Sequence, residues 1–536
     1  MPACHRWLVS GSAWWPDRDL IMQTLATILE RAARLYGNRV AVIDGSWQCR
    51  WSEYLERITR AAGVLTGLGI RTGDRFGIIS RNSYRMAELI NAGYWLGAVA
   101  VPINYRLAPP EISYILEDAD CRLLAVEDSF LHWFRSTELA PWQDRSICLA
   151  ATPAVRTIPN YDDLLATAAP QPIHDSRPDD DAILLYTGGT TGRSKGVRLS
   201  HANILANALQ IGLAISAREN DRFLHIMPMF HSADLFGTVF TLVGGVHVYV
   251  SEFTPKNLLR AVHEHRLTVL SLGPTILIRT LQEPDFDQYN CSSIRLIFYG
   301  SAPMAVEWIK RTMEKFPNAG LQQGYGLTET APILTTLTPE EHHRAIATGN
   351  HELLRSVGKP VVHVDLRIVD ERDQTLPVGA IGEIVVRGPN VSRGYLGLPE
   401  QSATTFRNGW FHTGDLGQLD GANNLYIRDR MKDMIVTGSE NVYSSEVEAA
   451  LYKHPAVLEA AVVGVPDEQW GEAVFAVIVL APEQTLTKDE VIEHCRKFIG
   501  GYKIPRRMAF VKELPKSAMG KILKTELRRI YGGDQN

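Results

Sequence analysis

Apolar runs typical of buried strands alternate with amphipathic segments through the middle of the chain. Between Ala182 and Gln323 the strand-like runs are AILLYT, RFLHIMP, VHVYVSE, LTVLSLGP and SIRLIFYGS, which are rich in Val, Ile, Leu and Phe. Helical apolar spacing marks the segments between them, including HANILANALQIGLAI after Ser200, a plausible N-cap. RFGIISRN, SYRMAELINAGYWLGA and CRLLAVED repeat this order earlier in the chain. The alternation predicts parallel sheets with covering helices.

The pattern changes twice towards the C-terminus. From about Ser356 the short alternating strands VHVDLRIVD, GEIVVRG and LYIRDR are separated by turns with Gly and Pro, which predicts a small β subdomain. After Lys432 a compact βα pattern returns. We therefore expect an α/β protein with a large N-terminal domain, residues 22–431, and a small α+β C-terminal domain, residues 432–536. Residues 1–21 are an extension of unknown role.

Composition narrows the functional class. The 536 residues suffice for two or three domains, and 45% hydrophobic with 21% charged residues is typical of globular proteins. A net charge of −5 gives no electrostatic case for binding nucleic acid. The six cysteines are scattered without a CxxC pair, which favours a reducing, cytoplasmic location over disulfides or structural zinc. No apolar run approaches the ~18 residues of a membrane span, so we expect no integral membrane segment.

The stretch YTGGTTGRSKG, residues 186–196, has the composition of a phosphate cradle. Glycine N–H groups without a neighbouring Cβ let oxygens approach closely, while threonine hydroxyls and a lysine add donors and charge. The common nucleotide-triphosphate loop has glycine before its lysine and Ser or Thr after it. Here Ser194 precedes Lys195 and Gly196 follows it. The loop therefore predicts phosphate binding of another kind, with a surface turn as the alternative.

Two further motifs suit a nucleotide. In GYGLTET, residues 324–330, a tyrosine between glycines can lie against a planar base, and a carboxylate four residues later can hold Mg²⁺. In FHTGDLG the carboxylate of Asp415 follows a strand-like run and can accept hydrogen bonds from ribose hydroxyls. Taken alone, a strand-end turn explains the first motif, and an Asx-turn explains the second equally well.

Two motifs lie near and beyond the predicted domain boundary. RDRMKDMIVTGSENVYSSEVE is charged and interrupted by glycine, as expected of a hinge or of a solvated linker. LPKSAMGKILKTELR places Lys521 on what should be an exposed loop before a helix. Most exposed lysines have no catalytic role, so this position alone is weak evidence.

Together and in this order, these elements resemble the adenylate-forming superfamily of acyl- and aryl-CoA synthetases, nonribosomal peptide synthetase adenylation domains and luciferases. The similarity spans about Met22 to Arg529. It is greatest to AMP-forming fatty-acyl or aryl-CoA ligases, through PMFHSADLFG, YGLTET, NGWFHTGDLG and KDMIVTGSENVYSSEVE. The resemblance implies that ATP and Mg²⁺ activate a medium- or long-chain fatty acid or an aromatic acid as its acyl-adenylate, with release of pyrophosphate. Transfer to CoA, the second substrate, then gives acyl-CoA and AMP.

The resemblance also implies roles for the matching nucleotide-site residues. Tyr325 would stack on adenine, and Asp415 and Arg430 would hold the ribose. Thr328 would contact the α-phosphate and Glu329 would ligate Mg²⁺. The β- and γ-phosphates would lie in the glycine-rich loop. The remaining expected nucleotide contacts are Thr187, Gly188, Gly189, Thr190, Thr191, Lys195, Gly300, Ser301, Ala302, Pro303, Gly324 and Gly326.

For the C-terminal domain the resemblance implies movement. The small domain would be mobile and rotate about Lys432. Lys521 matches the lysine that bridges the substrate carboxylate and the α-phosphate during adenylation. After rotation, the face carrying Gly438 would line a pantetheine tunnel, and Trp470 matches a position that can stack on the CoA adenine. Ser439 replaces the family's second glycine beside this tunnel, which keeps an amide synthetase with an amine acceptor as the alternative.

The acid pocket would begin at His231, which lies near the carboxylate in the family. Ser232 stands where amino-acid-activating domains have an aspartate, so an α-amino acid is disfavoured. Phe236 and Gly273 belong to the same expected pocket. Asp234 would either accept a hydrogen bond from the substrate or begin a helix that faces solvent. Small-molecule substrates are the expected partners, and a homodimer is an open expectation.

Overall fold

The fold is described from a computed structural model, which covers residues 23–135, 138–150, 158–187, 194–302, 304–437, 440–467, 470–517 and 522–532. These residues form four β-sheets with helices packed between and around them. Within this part of the chain, no helix is both long and apolar enough to cross a membrane.

The strands are short, as expected for an α/β protein. In chain order they are β1 (Val40–Asp44), β2 (Trp47–Arg50), β3 (Arg75–Ile79), β4 (Val99–Pro102), β5 (Cys121–Glu127), β6 (Ser146–Leu149), β7 (Asp181–Thr187), β8 (Lys195–Ser200), β9 (Arg222–His225), β10 (Val246–Tyr249), β11 (Val269–Leu272), β12 (Leu296–Gly300), β13 (Gly320–Tyr325), β14 (Thr335–Leu337), β15 (Lys359–Pro360), β16 (Asp365–Val369), β17 (Gly382–Arg387), β18 (Phe411–Leu419), β19 (Leu425–Arg430), β20 (Ile435–Thr437), β21 (Glu440–Val442), β22 (Val457–Asp467), β23 (Gly471–Leu480) and β24 (Arg507–Phe510).

The helices cover the sheets. They are α1 (Leu25–Tyr36), α2 (Trp51–Gly67), α3 (Tyr84–Leu96), α4 (Pro109–Asp118), α5 (Tyr161–Thr167), α6 (His201–Ala214), α7 (Thr238–Val243), α8 (Pro255–His265), α9 (Pro274–Leu281), α10 (Val306–Lys315), α11 (Pro339–Thr348), α12 (Pro399–Thr405), α13 (Ser444–Leu451), α14 (Lys488–Arg496) and α15 (Lys524–Tyr531). Short 3₁₀ helices lie at Asp128–Arg135, Ala140–Arg145, Ser232–Gly237, Phe286–Gln288, Thr328–Thr330, Leu353–Arg355 and Gly501–Lys503. Ser200 caps α6 as expected, since its side chain accepts a hydrogen bond from the Asn203 N–H.

The largest sheet has the order β15-β14-β13-β12-β11-β9-β10-β1-β2. Its centre, from β13 to β1, is parallel, which confirms the sheet expected from the alternating pattern. Its two edges are antiparallel. Helix α7 packs on the face of the sheet that carries Phe223 and Phe298. Helices α8 and α9 pack on the opposite face, which carries Leu224 and Leu270. Both faces are therefore buried, as is usual for parallel sheets.

The second sheet, β6-β5-β3-β4-β7-β8, is parallel except at one edge. There β7 and β8 form an antiparallel hairpin, with Thr187 paired to Lys195. The glycine-rich stretch therefore connects two strands of a hairpin. The antiparallel order β16-β17-β18-β19 forms the third sheet and confirms the small β region expected after Ser356.

The fourth sheet is built from residues after Lys432, in the order β21-β20-β23-β22, with β24 parallel to β23. Helices α13 and α14 cover one face and α15 the other. Successive residues of β22 alternate between these cores, with Ala460 and Val462 on one side and Ala461 and Val463 on the other. Because both faces are covered, the strand is apolar at nearly every position.

Candidate active site

The carboxyl ends of β9, β11, β12 and β13 lie along one edge of the large sheet, because these strands are parallel. From β9 the chain runs to β10 on one side and then crosses to β11 on the other, so the strand order reverses between β9 and β11. Ligands of open α/β sheets bind in the crevice at such a reversal. A Cβ added to Gly273, just after β11, would contact only Met227 Cε at 3.9 Å, which leaves room beside these strand ends.

Tyr325, at the end of β13, meets the two residues expected to hold a ribose. Its hydroxyl donates to Asp415 Oδ2 at 2.7 Å, and Arg430 Nε lies 2.7 Å from Asp415 Oδ1. Asp415 and Arg430 are paired neighbours on β18 and β19. Burial, reinforced by Asp415, raises the pKa of Tyr325 well above its usual value, so the phenol remains a donor. A carboxylate has about four acceptor positions, so Asp415 can still accept ribose hydroxyls.

The glycines beside Tyr325 are required by the protein's own packing. An added Cβ on Gly300 would lie 2.4 Å from the Gly324 carbonyl, and one on Gly326 would lie 1.8 Å from the Pro332 carbonyl. A Cβ added to Gly324 would lie 2.2 Å from Cζ of the Phe298 ring. The sequence suggested that these glycines serve a base, but neighbouring backbone and a core ring already account for them. Ser301, which has φ +69°, and Ala302 follow β12 and are exposed.

Lys195 carries the positive charge at the start of β8. It makes no ion pair with another described residue, and its Nζ lies 5.5 Å from the centroid of the Tyr395 ring. Burial lowers the pKa of Lys195, while Glu329 acts in the opposite direction. The next helix, α6, begins only at His201. No helix N-terminus therefore follows this lysine as in a nucleotide-triphosphate loop, which explains the unusual spacing.

Glu329 lies in the 3₁₀ helix Thr328–Thr330 and is partly buried. Its Oε1 accepts a hydrogen bond of 2.9 Å from the Tyr395 hydroxyl. Burial raises the pKa of Glu329, while the Tyr395 hydrogen bond and Arg430 act in the opposite direction. Among the described residues, no group of three His, Cys, Asp or Glu could hold a metal alone. A single carboxylate suits Mg²⁺, which proteins bind through one or two carboxylates together with substrate phosphates.

Thr328 connects the expected nucleotide end of the site to the expected acid pocket. Its Oγ1 lies 3.2 Å from the Ser232 hydroxyl, and both side chains are buried. His231 immediately precedes the 3₁₀ helix Ser232–Gly237, and its Nδ1 accepts a hydrogen bond of 3.1 Å from the Ala233 N–H. The proton of a neutral His231 ring therefore lies on Nε2.

Asp234 and Phe236 lie differently from the sequence expectation. Asp234 does not start a solvent-facing helix: its Oδ1 lies 2.7 Å from Nδ1 of buried His225. His225 Nε2 in turn lies 2.9 Å from Nδ1 of His247. Phe236 is 1% exposed and packs on Phe298, with ring centroids 4.9 Å apart. The short 3₁₀ helix turns these side chains towards the sheet, where a buried imidazole needs an acceptor and an aromatic ring finds a core.

The AMP-binding enzyme family model matches residues 29–396, and the model of its C-terminal domain matches residues 446–521. The chain belongs to the AMP-binding enzyme family. It is 35% identical over 505 residues to a feruloyl-CoA synthase of an Amycolatopsis species, covering 94% of this chain and 98% of that one. The match confirms the adenylate-forming family, the α/β fold and the ligase class expected from the sequence.

Solved structures of the family superimpose on nearly the whole chain. O-succinylbenzoate CoA synthetase (MenE) from Bacillus subtilis, in complex with its acyl-adenylate intermediate OSB-AMP, is 31% identical with a TM-score of 0.83, covering 96% of this chain and 100% of that one. The amide bond synthetase McbA from Marinactinospora thermotolerans is 30% identical with a TM-score of 0.84, covering 95% of this chain and 100% of that one. The shared fold thus serves both CoA ligases and an amide synthetase.

Trp470 of this family member lies on an exposed face of the C-terminal sheet. The Arg506 guanidinium lies 5.1 Å from the centroid of its ring, and Tyr502, Thr437 and Glu440 line the same shallow pocket. Thr437 and Glu440 flank Gly438 and Ser439 in the chain. The Trp470 ring and the Arg506 cation therefore lie close to Thr437 and Glu440.

Lys432 lies between the β subdomain and the C-terminal sheet and is exposed. The next residue, Asp433, forms an ion pair of 2.8 Å with Arg528 of α15. The segment around the expected hinge is thus tied to the last helix. Several expected site residues lie outside the described part of the chain, namely Gly188, Gly189, Thr190, Thr191, Pro303, Gly438 and Lys521.

Tyr395 is the site residue that sequence reasoning missed. It follows Gly394 in SRGYLG, and its hydroxyl and ring contact two expected site residues, Glu329 and Lys195. The motif GYGLTET was also recognised by a tyrosine beside a glycine. SRGYLG has the same pair of residues, but no neighbouring residue in the sequence indicated which site Tyr395 would join.

Proposed function

We propose that this enzyme joins a carboxylic acid to CoA through an acyl-adenylate. The observation that carries the proposal is the cluster of Tyr325, Asp415 and Arg430 beside Thr328 and Glu329, at the carboxyl edge of the parallel sheet. A nucleotide held by this cluster has its phosphates near Lys195 and its α-phosphate near Thr328. The crevice between β9 and β11 then receives the acid.

The first step brings two anions together. A carboxylate oxygen forms a bond to the α-phosphorus, the bond between the α- and β-phosphates breaks, and pyrophosphate leaves with the electron pair. Lys195 holds the leaving phosphates and Lys521 bridges the carboxylate and the α-phosphate, which reduces the repulsion. Mg²⁺, when bound by Glu329, supplies further charge neutralisation at the phosphates.

The second step transfers the acyl group. The CoA thiol gives its proton to solvent and its sulfur forms a bond to the acyl carbonyl carbon. The bond between that carbon and the phosphate oxygen breaks, and AMP leaves with the electron pair. The adenylate is also open to attack by water, so an arrangement that excludes water is required. Rotation about Lys432 removes Lys521 and brings the Gly438 face to the adenylate.

We propose an aromatic carboxylic acid without an α-amino group as the substrate. Ser232 has no charge, and the nearby Asp234 carboxylate already contacts His225. No free carboxylate is therefore present at these two positions to bind the ammonium group of an α-amino acid. Beside Gly273 the crevice has an apolar neighbour, because Met227 Cε would lie 3.9 Å from a Cβ added to Gly273. Similarity to a feruloyl-CoA synthase supports an aryl acid, with medium- and long-chain fatty acids as the alternative.

CoA is the proposed acceptor because Trp470 and Arg506 offer a stacking face and a cation suited to a phosphorylated adenine. An amine is the alternative acceptor, motivated by Ser439 and by the likeness to McbA. We also propose a cytoplasmic location. The described cysteines support it, since all are free and Cys49, Cys121, Cys148 and Cys495 are buried thiols.

The test measures AMP and pyrophosphate release with a panel of aromatic and aliphatic acids. Each acid is incubated with CoA, with simple amines or with neither. Turnover that depends on CoA and is fastest with aryl acids is expected. Release that responds to amines and not to CoA would replace the proposal with an amide synthetase. Lys521→Ala should abolish adenylate formation yet leave most thioester formation from preformed acyl-adenylate.

A further inference from the structure

Residues 392–396, here called the strap, pair with the strand that leaves the glycine-rich loop. The Leu396 N–H donates to the Gly196 carbonyl at 2.8 Å, and the Arg198 N–H donates to the Gly394 carbonyl at 3.1 Å. The Ser392 hydroxyl donates to the Arg198 carbonyl at 2.8 Å. Because β8 is at the edge of its sheet, the strap covers that edge and holds β8 in place.

The same strap also holds Glu329, which lies in the 3₁₀ helix that follows β13 of the large sheet. The Ser392 N–H donates to the Glu329 carbonyl at 2.7 Å. Three residues later, the Tyr395 hydroxyl donates to Glu329 Oε1 at 2.9 Å. Both the backbone and the carboxylate of Glu329 are thus fixed by one short segment.

Tyr395 contacts both the carboxylate and the cation of the site. Lys195 Nζ is 5.5 Å from the centroid of the Tyr395 ring, within the range of a cation–π contact. The Tyr395 N–H donates to the Ser402 hydroxyl at 2.9 Å, and Phe406 packs edge-on against the ring at 5.8 Å. Because the contacts with Ser402 and Phe406 fix the ring, Tyr395 can position both Glu329 and Lys195.

We propose that Tyr395 is a positioning residue that sets the spacing between the Mg²⁺ ligand Glu329 and the triphosphate lysine Lys195. Its hydroxyl orients the carboxylate, and its ring face holds the ammonium. The inference rests on the proposed function, because it requires that ATP and Mg²⁺ bind here. The strap thereby links the position of β8 to that of Glu329.

Two substitutions separate the hydroxyl from the ring. Tyr395→Phe keeps the ring and removes only the bond to Glu329. We expect the Mg²⁺ concentration for half-maximal pyrophosphate exchange to rise about tenfold, as for the loss of a hydrogen bond to a charged group. Calorimetric binding of ATP with the metal chelated should stay unchanged, because Lys195 keeps its aromatic partner. Tyr426→Phe, which removes a hydroxyl bonded to the distant Asp420, is the matched control.

Tyr395→Leu removes the ring as well. Metal-free ATP binding measured by calorimetry should then weaken by about threefold to fivefold, the size expected for an exposed cation–π contact. In a Glu329→Gln background, Tyr395→Phe should no longer change the Mg²⁺ dependence, because the charged acceptor is absent. This double substitution distinguishes an effect through Glu329 from a general loosening of the strap.

The outcomes are separable. A Tyr395→Phe variant with the wild-type Mg²⁺ dependence would overturn the inference. This result tests the inference even if Tyr395→Leu fails to fold. Equal weakening of metal-free ATP binding by both variants would also overturn it, since only the ring contacts Lys195. If the wild-type protein itself bound no ATP, the proposed function would fail, whichever acid were used.

Discussion

Asp429 near the end of β19 accepts two hydrogen bonds from Ser444, the first residue of α13. One comes from the Ser444 backbone N–H and the other from its hydroxyl, whose oxygen lies 2.7 Å from Asp429 Oδ2. Lys524 of α15 donates to the same hydroxyl. These residues lie on either side of Lys432, so a buried polar contact spans the expected hinge and stabilises one arrangement of the C-terminal sheet.

Substitution of Ser444 should therefore change the two half-reactions unequally. Ser444→Ala loses one bond to Asp429, and Ser444→Pro loses both, while proline is tolerated at the first position of a helix. We expect the half-reaction that uses this arrangement to slow about threefold to tenfold, with a larger effect for proline. Single-turnover rates of adenylate formation and of thioester formation from preformed adenylate measure this.

The control for this pair is Ser52→Ala, which removes an exposed hydroxyl bonded to the Gly37 carbonyl far from the hinge. It should leave both rates unchanged. Equal slowing of both half-reactions by Ser444→Pro would show that the contact stabilises the protein as a whole and does not select one arrangement.

Local sequence patterns predicted the parts of the fold that depend on neighbouring residues. The apolar strands, the N-cap at Ser200 and the change to β-structure after Ser356 all follow from short-range periodicity. The family resemblance implied that Tyr325, Asp415 and Arg430 serve one nucleotide, and in the structure Asp415 contacts both of the others. The pairing of strands that are far apart in the chain could not be read from the sequence. β8 runs antiparallel to β7 because only seven residues separate them, which is too few for a parallel crossover.

Side-chain direction in short irregular elements was also beyond the sequence. The segment that begins at Ser232 is a 3₁₀ helix before it becomes α7, and it turns Asp234 and Phe236 towards the sheet, a direction that the resemblance did not indicate. Tyr395 and Glu329 are 66 residues apart in the chain, and only the strap brings them together. Such contacts depend on the assembled sheets, and no local pattern encodes them.

Tyr325→Phe should weaken nucleotide binding without affecting CoA. The variant keeps the aromatic face and loses the 2.7 Å bond to Asp415, which leaves Arg430 to hold that carboxylate alone. We expect the KM for ATP to rise about tenfold, in line with the loss of a hydrogen bond to a charged group. The KM for CoA should stay constant under saturating ATP. A change confined to CoA would contradict the placement of the nucleotide at Tyr325.

Asp234→Asn should affect stability more than substrate choice. The carboxylate ends a buried chain in which Thr241 and His247 lie 3.2 Å apart, His247 and His225 2.9 Å, and His225 and Asp234 2.7 Å. Loss of the charged acceptor should lower the free energy of unfolding by about 1–3 kcal/mol in urea titrations. The ranking of acids should be unchanged. Asp287→Asn, at a highly exposed position, is the control, and a reordered acid panel would instead place Asp234 at the substrate.

Buried histidines should make the protein less stable in mild acid. The His342 Nδ1–H donates to the Thr338 carbonyl at 2.8 Å, and its Nε2 accepts from the Tyr299 hydroxyl at 2.9 Å. The neutral ring thus has both partners, and burial lowers the pKa of His342 from 6.5 to about 4. The unfolded chain binds a proton here below about pH 6.5, whereas the folded chain does so only near pH 4. The free energy of unfolding therefore falls as the pH drops between these values.

His342→Gln tests this contribution, because an amide keeps one donor and one acceptor but does not titrate. Between pH 7 and pH 5, His342 alone should lower the free energy of unfolding by about 2 kcal/mol. Urea titrations at both pH values should show a decrease smaller by about that amount in His342→Gln, even if the variant is less stable at pH 7. Exposed His351→Gln should keep the wild-type decrease. An unchanged pH dependence in His342→Gln would mean that the ring is protonated in the folded protein and that its bond to Tyr299 is arranged differently.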